Sequence, residues 1–187
     1  VPPHVKTRKS EEQDHGLDAA LDNKLIELAK PALENQQKVT AEIPITNINR
    51  TVGGMLSGDV ARAYGIDGLD DETIHFKFRG TAGQSFGAWL AKGIRFDLIG
   101  DVNDYLGKGL CGGTITVQPP EIEGYIAEEN ITAGNTICYG ATMGEVYLRG
   151  VAGEQAAALG KLRLEQPRQP PDVVELVVDK KYAVAGR

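Results

Sequence analysis

The chain has 187 residues, of which 41% are hydrophobic and 25% are charged, and it carries a formal net charge of −6. The length suffices for one sizeable core, and the acidic balance argues against nucleic acid as a partner, because phosphate binding depends on a basic surface. No apolar run approaches the roughly 20 residues of a membrane helix, and no secretory leader opens the chain, so we expect a cytoplasmic protein without a membrane partner.

The first predicted element is a helix. Leucines at helical spacing predict it over Leu17–Leu33, with Asp22 among the polar residues that point away from the apolar face. Pro31 should kink or divide this helix, because proline lacks the N–H that the helical ladder needs.

A strand and a second helix are predicted next. Apolar and polar residues alternate over Val39–Thr46, which predicts a strand, and Pro44 within it indicates the edge of a sheet. Thr51 could then cap a short helix that ends at about Tyr64.

After residue 70, short β-type runs bounded by glycines recur at a fixed interval. Phe76 and Phe78 precede Phe96 and Leu98 by 20 residues. A repeat near 20 residues predicts parallel strands in register, hence a mainly β fold of the parallel β-helix type after an N-terminal helical connector. An antiparallel β-sandwich is the alternative. The five predicted strands cover residues 74–78, 94–98, 114–117, 136–139 and 145–148. The constant offset predicts that Phe76, Phe96 and Thr116, or Phe78, Leu98 and Gln118 on the same face, are in register. If the third repeat slips by one residue, Ile115 and Val117 point inward instead.

The last part of the chain departs from the repeat. An acidic segment from Pro119 to about Asn130 is predicted to protrude as a loop, Ala156–Leu164 could form a short helix, and Gln166–Pro171 is typical of a linker. The end of a stack of strands exposes unpaired N–H and C=O groups, so either Ala156–Val178 folds back with the apolar run Val173–Val178 over the last repeat, or another chain covers it. If neither happens, we expect self-association. Of these outcomes we favour poor solubility or oligomers over a monomer.

Three motifs suggest a chemical site, and each has a simpler structural explanation. Gly107–Gly112 matches the dinucleotide pattern G-x-G-x-x-G, but a strand rather than a helix is predicted to follow it. Gly80–Ser85 resembles a phosphate loop without its lysine. Asp101, Asn103 and Asp104 resemble part of a calcium loop without the closing glutamate, and polar groups that bond the backbone explain them better.

The histidines and cysteines form no recognisable metal or catalytic pattern. Cys111 and Cys138 are too few for a disulfide scaffold or a zinc site and are expected to be buried, whereas His75 is expected to face solvent. The sequence therefore assigns no catalytic, cofactor-binding or metal-binding residue.

One long region resembles a known family. From Asn47 to Glu154 the chain is similar to the GXGXG domain at the C-terminal end of glutamate synthase large subunits. The resemblance divides the chain into a helical connector (1–48), an incomplete GXGXG domain (49–154) and an unmatched tail (155–187). The motifs that carry the resemblance are Asn49–Gly53, Leu56–Gly58, Gly80–Gly87, Gly100–Gly109, Gly134–Thr136, Tyr139–Thr142 and Gly150–Glu154.

The resemblance implies a right-handed parallel β-helix that belongs to an enzyme making two glutamates from glutamine and 2-oxoglutarate. In that family other domains hold the glutaminase cysteine, FMN and an iron–sulfur cluster, and the GXGXG domain scaffolds them and borders the ammonia path. We therefore expect a chain that is not catalytic alone and holds no cofactor. Its expected partners are the remaining domains of the large subunit, with the small subunit as a further candidate.

Two alternatives remain open at this point. The chain could be a free-standing assembly subunit of a split glutamate synthase or of a complex like formylmethanofuran dehydrogenase. It could also be a small nucleotide-binding enzyme that uses Gly107–Gly112.

Overall fold

The computed structural model describes residues 1–153, 163–165 and 173–178. Within them a short 3-10 turn at Leu17–Ala19 precedes two α-helices and nine strands. In chain order the elements are α1 (Leu21–Asn35), β1 (Val39–Ile45), α2 (Gly54–Tyr64), β2 (Ile74–Ala82), β3 (Ile94–Val102), β4 (Cys111–Gln118), β5 (Ile131–Ala133), β6 (Met143–Arg149), β7 (Val151–Ala152), β8 (Arg163–Glu165) and β9 (Val173–Val178).

The strands form one sheet with the order β1-β2-β3-β4-β6-β9-β8, while β5 pairs with β3 and β7. The pairings from β1 to β6 are parallel, which excludes the antiparallel sandwich for this part of the chain. Phe76 lies opposite Phe96, as the 20-residue offset predicts. Phe96 in turn lies opposite Ile115 rather than Thr116, so the unshifted register is wrong for the third repeat and the alternative, a slip of one residue, is what the structure has.

The predicted fold class, a mainly β, right-handed parallel β-helix, is wrong. The structure is a largely parallel sheet flanked by α1 and α2, which makes it an α/β architecture. A 20-residue repeat specifies which strand pairs with which, but it does not specify what covers the apolar face of the strands. Here Leu25 of α1 and Leu56 of α2 lie in the same buried cluster as Phe76 and Phe96 of the sheet.

The core is built from side chains that alternate along the strands. In β3, Phe96 and Leu98 are buried, while the intervening Arg95 and Asp97 reach the opposite face, as a period of two requires. The rings of Phe76, Phe78, Phe86 and Phe96 contact one another with centroids 4.9–6.3 Å apart. Aromatic contacts of this kind add about 1 kcal/mol each beyond the area that they bury.

The helices differ from their predictions in detail. Pro31 lies inside α1 without dividing it. Asp22 is 3% exposed and lies on the buried face of α1, whereas Leu17 is 58% exposed, so the predicted apolar face is wrong in part. The N-cap residue of α2 is Gly53 rather than the predicted Thr51. Because glycine has no side chain, the N-cap residue itself cannot cap the helix.

The strand predictions hold for β1 to β4 and β6, with β1 at the sheet edge as Pro44 indicates. The predicted strand 136–139 is wrong: these residues form a turn, and β5 lies before them. The segment 119–130 is a loop with one short 3-10 turn at Ala127–Glu129, as expected.

The tail returns to the sheet. β9 pairs antiparallel with β6, and β8 pairs antiparallel with β9. Of the two alternatives for the end of the last repeat, the fold-back of Val173–Val178 is therefore the one that the backbone shows. The predicted helix Ala156–Leu164 lies outside the described residues except for its last two positions, which belong to β8. The linker Gln166–Pro171 lies outside them entirely.

Candidate functional site

Three turns, residues 84–89, 104–109 and 135–140, lie after β2, β3 and β5 and resemble one another in backbone conformation. Each turn has three residues with positive φ at equivalent places. In the order of the three turns, the first of these positions holds Ser85, Tyr105 and Thr136. The second holds Gly87, Gly107 and Cys138, and the third holds Trp89, Gly109 and Gly140. All nine φ values lie between 54° and 69°.

Main-chain hydrogen bonds hold the turns against one another. The N–H of Trp89 donates to the carbonyl of Lys108 over 2.7 Å, and the N–H of Gly109 donates to the carbonyl of Tyr139 over 2.8 Å. The N–H of Tyr105 likewise donates to the carbonyl of Asn135 over 2.9 Å. Because the backbone groups of each turn are satisfied by the next, the side chains that project from the turns are held in fixed relative positions.

Four of these side chains form an exposed cluster, which we call the aromatic platform: Trp89, Tyr105, Lys108 and Tyr139. The Nζ of Lys108 lies 5.8 Å from the centroid of the Trp89 ring and 5.6 Å from that of the Tyr105 ring, within the range of cation–π attraction. Tyr105 and Tyr139 meet edge to face at 6.4 Å. Trp89 and Tyr139 are each 51% exposed and Tyr105 is 38% exposed.

The dinucleotide-like motif Gly107–Gly112 lies at the edge of this platform. A strand, β4, follows it rather than a helix, so no helix N-terminus is aimed at the glycines. The ring of Trp89 also covers Gly109, since a Cβ at Gly109 would lie 2.5 Å from Cδ1 of Trp89. The close approach that Gly109 permits is therefore used by a tryptophan of the same chain.

The calcium-like residues are engaged within the fold. Asn103 and Asp104 bond backbone N–H groups, as expected, whereas Asp101 bonds a side chain of the neighbouring strand β2. Asp101 accepts a hydrogen bond from the hydroxyl of Thr81 over 2.7 Å, and Asp104 accepts one from the N–H of Asn135 over 2.8 Å. Asn103 accepts one from the N–H of the residue after it. In the part of the chain that the structure describes, no three His, Cys, Asp or Glu side chains come together so that they could hold a metal ion. Gly83, in the phosphate-like loop Gly80–Ser85, donates its N–H to the carbonyl of Asn49.

A charged network lies on the solvent-facing side of the sheet. The Nε2 of His75 lies 2.6 Å from Asp97, and Arg95 donates to the same carboxylate over 2.9 Å and to Glu72 over 2.6 Å. Burial raises the pKa of Asp97, but the hydrogen bonds from His75 and Arg95 outweigh burial and hold that pKa below 3.8. His75 is partly buried by this contact rather than fully in solvent. The contacts of His75 with Asp97 and of Arg95 with Glu72 span 22 and 23 residues, so no local pattern in the sequence predicts the network.

The network borders an open groove of about 710 Å³ across the polar face of the sheet. Residues that line it include Glu72, Lys92, Arg95, Thr114 and Tyr147. Its lining mixes both signs of charge with hydroxyls and contains no nucleophile beside a base, so it does not form a recognisable catalytic constellation.

A buried carboxylate joins the two helices. Asp22 of α1 accepts hydrogen bonds from the N–H groups of Gly53, Met55 and Leu56 over 2.9–3.2 Å, and so caps the start of α2. Burial is the largest influence on Asp22 and raises its pKa, and the three backbone N–H groups offset only part of that increase. The contact joins the two helices and so organises the fold.

The two cysteines lie in different environments. Cys138 is 2% exposed, and burial raises the pKa of its thiol to about 12. Cys111 is exposed, so the expectation that both would be buried is wrong for Cys111. Among the residues that the structure describes, no helix has the length and apolar character needed to cross a membrane.

Comparison with known proteins decides the family. The sequence model of the GXGXG motif family matches residues 22–175. The chain belongs to the GXGXG family. Its match begins at Asp22, the residue that caps α2, and ends within β9, so it takes in both helices as well as the turns of the aromatic platform.

Several curated relatives of this GXGXG domain are glutamate synthases. Glutamate synthase [NADH] of Saccharomyces cerevisiae is 45% identical over 155 residues, which cover 83% of this chain and 7% of that protein. Glutamate synthase [NADPH] large chain of Bacillus subtilis is 41% identical over 157 residues, which cover 83% of this chain and 10% of that protein. Ferredoxin-dependent glutamate synthase of Pyropia yezoensis is 47% identical over 141 residues, which cover 72% of this chain and 9% of that protein. The chain thus spans a tenth or less of the length of these relatives.

The features that sequence reasoning missed have identifiable causes. The motif Gly107–Gly112 resembles a nucleotide site in sequence, whereas nothing in the sequence pattern marks Trp89 as an exposed residue beside it, and the sequence assigns Tyr139 to a strand and to a family motif only. The equivalence of Trp89, Gly109 and Gly140 could have been noticed, since Trp89 and Gly109 keep the 20-residue offset. The Asp22 contact had no such signal, because its partners lie more than 30 residues away.

Proposed function

We propose that this chain is the GXGXG domain of a glutamate synthase and acts in it as a structural element. The parent enzyme would convert glutamine and 2-oxoglutarate into two glutamates in the cytoplasm. Its other domains would carry the glutaminase centre, the FMN and the iron–sulfur cluster, while this domain holds them in place and borders the path of ammonia. Within the chain, residues 1–48 would connect to the preceding domain and 49–154 would form the body of the GXGXG domain.

The observation that carries the proposal is the 45% identity over 155 residues to a named glutamate synthase, together with the family match over 22–175. The structure supports a structural role in a second way. Its potential chemical motifs are engaged internally: Gly109 of Gly107–Gly112 is covered by Trp89, and the carboxylates of Asp101 and Asp104 bond a neighbouring strand and a neighbouring turn.

A chimeric enzyme tests this function. The matched segment of the Bacillus subtilis glutamate synthase large chain is replaced by this chain, and FMN content and glutamate formation are measured with the small subunit present. We expect a flavin-bearing, active chimera. The matched control deletes the same segment without replacement and should lose both properties, since the scaffold is missing.

The isolated chain provides the complementary measurement. It should show neither glutaminase nor glutamate synthase activity and should purify without flavin or iron, because we assign those centres to other domains. A stoichiometric flavin spectrum in the isolated chain would contradict the proposal, as would an inactive chimera that lacks FMN.

A further inference from the structure

Trp89 occupies a backbone position at which glycine is the less strained residue. Its φ is 54°, and the equivalent positions in the next two turns are Gly109, with φ 66°, and Gly140, with φ 69°. Left-handed backbone is unfavourable for a side chain with a Cβ, and bulky residues rarely adopt it. Because 51% of Trp89 stays in contact with water, burial within this chain does not account for a tryptophan there.

Tyr105 repeats the same feature one turn later. Its φ is 63°, it stands where the other two turns have Ser85 and Thr136, and it is 38% exposed. Residues held in sparsely populated backbone conformations cluster at functional sites. Trp and Tyr are also the residues most enriched where protein interfaces gain most of their binding energy.

Lys108 adds a positive charge to the platform. In the part of the chain that the structure describes, it forms no ion pair with a carboxylate, and its Nζ lies near the rings of Trp89 and Tyr105. An ammonium group between two aromatic rings attracts a carboxylate, which would complete its neutralisation when the surface is covered.

We propose that the aromatic platform is the docking surface for an acidic segment of the remaining glutamate synthase polypeptide. This inference rests on the proposed function and adds the surface and the chemistry of its partner. A carboxylate of the segment pairs with Lys108, and its neighbouring apolar side chains cover Trp89 and Tyr139. The main-chain hydrogen bonds between the turns hold the four side chains in place beforehand, so docking orders few groups on this side of the interface.

Side-chain reactivity in the chimera tests the platform directly. Hydroxyl radicals modify exposed aromatic side chains, and mass spectrometry of the peptides gives a rate for each residue in the chimera and in the isolated chain. We expect Trp89 and Tyr139 to react at least fivefold more slowly in the chimera. Tyr125 is the internal control, since it is 38% exposed like Tyr105 but lies in the loop 119–130, and its rate should stay the same.

Charge reversal tests the chemistry of the partner. Lys108→Glu should raise the rate of radical modification of Trp89 in the chimera at least threefold, towards the rate in the isolated chain. The control Lys38→Glu changes an exposed lysine outside the platform and should leave that rate unchanged. Circular dichroism of both isolated variants verifies that they fold. If Lys108→Glu leaves the protection unchanged, the acidic partner is refuted.

The two proposals fail in different ways. A flavin-bearing, active chimera in which Trp89 reacts as fast as in the isolated chain refutes the platform and leaves the proposed function standing. A chimera without FMN or activity refutes the proposed function, and the platform proposal falls with it.

Discussion

The carboxylate of Asp22 on α1 accepts the N–H of Gly53 with both of its oxygens, each over 3.0 Å, and so joins one helix to the start of the next. The N–H groups of Met55 and Leu56 bind the same side chain. A helix N-terminus usually takes its cap from the residue beside it in sequence. Here the cap is supplied from 31 residues earlier, so the start of α2 depends on the position of α1.

Removal of this cap should destabilise the whole domain. Asp22→Ala leaves three N–H groups without their acceptor in a buried place, and we expect the free energy of unfolding to fall by about 2 kcal/mol. Urea denaturation followed by circular dichroism measures the change. Asp18→Ala removes an exposed carboxylate from the preceding 3-10 turn and should change stability by less than about 0.5 kcal/mol. Equal effects of the two substitutions would contradict a capping role for Asp22.

The stability that Asp22 contributes should depend on pH. Burial raises its pKa above 3.8 in the folded chain, so between 3.8 and the raised value the folded protein retains a proton that the unfolded chain releases. Raising the pH through that window therefore lowers the free energy of unfolding. The side chain in Asp22→Asn does not titrate. The free energy of unfolding of the wild type minus that of Asp22→Asn should therefore decrease as the pH rises through the window and then level off. A difference independent of pH between 3 and 7 would refute this assignment.

The contact between Trp89 and Gly109 predicts a mutational coupling. Gly109→Ala places a Cβ 2.5 Å from Cδ1 of Trp89 at a φ of 66°, and we expect a loss of about 2 kcal/mol in the free energy of unfolding. In the Trp89→Gly background the ring is absent, so the same substitution should cost only about 1 kcal/mol from backbone strain. A double-mutant cycle measured by urea denaturation gives the coupling. Gly140→Ala is the control, because a Cβ there meets nothing within 4 Å. Additive effects would contradict the packing.

The sequence was most informative where contacts repeat at a constant interval. The register of β2 on β3 follows from the 20-residue offset, because Phe76 opposite Phe96 places both rings on the buried face. The same offset could not predict α/β architecture, since Leu56 and Leu25 reach the core from helices that obey no repeat. Residues 136–139 look like a strand by composition, but positive φ at Thr136 and Cys138 places them in a turn that the neighbouring turns impose. The aromatic platform lay beyond prediction for a similar reason: exposed rings leave no periodic pattern.

The two cysteines should react at very different rates in the folded chain. Cys138 is buried and its pKa is raised to about 12, so it carries almost no thiolate at pH 8, whereas Cys111 is exposed. We expect iodoacetamide to label one thiol per chain in the native state and both in 8 M urea. Peptide mass spectrometry identifies the labelled residue. Labelling of Cys138 at the rate of Cys111 in the native chain would show that the turn 135–140 opens readily.

β9 should keep the domain monomeric by covering the edge of β6. It pairs antiparallel with six residues of β6, from Gly144 to Arg149, whose opposite side pairs with β4. Without β9, the N–H and C=O groups on that side of β6 are unpaired, and an exposed strand edge pairs readily with another chain. A chain ending at Gly153 should therefore form oligomers, and light scattering should show an average mass that increases with protein concentration. A chain ending at Val178 is the matched control, since it retains β8 and β9, and should keep the size of the full chain. If the chain ending at Gly153 stays a folded monomer at all concentrations, the loop and side chains around β6 already protect its edge and β9 has no protective role.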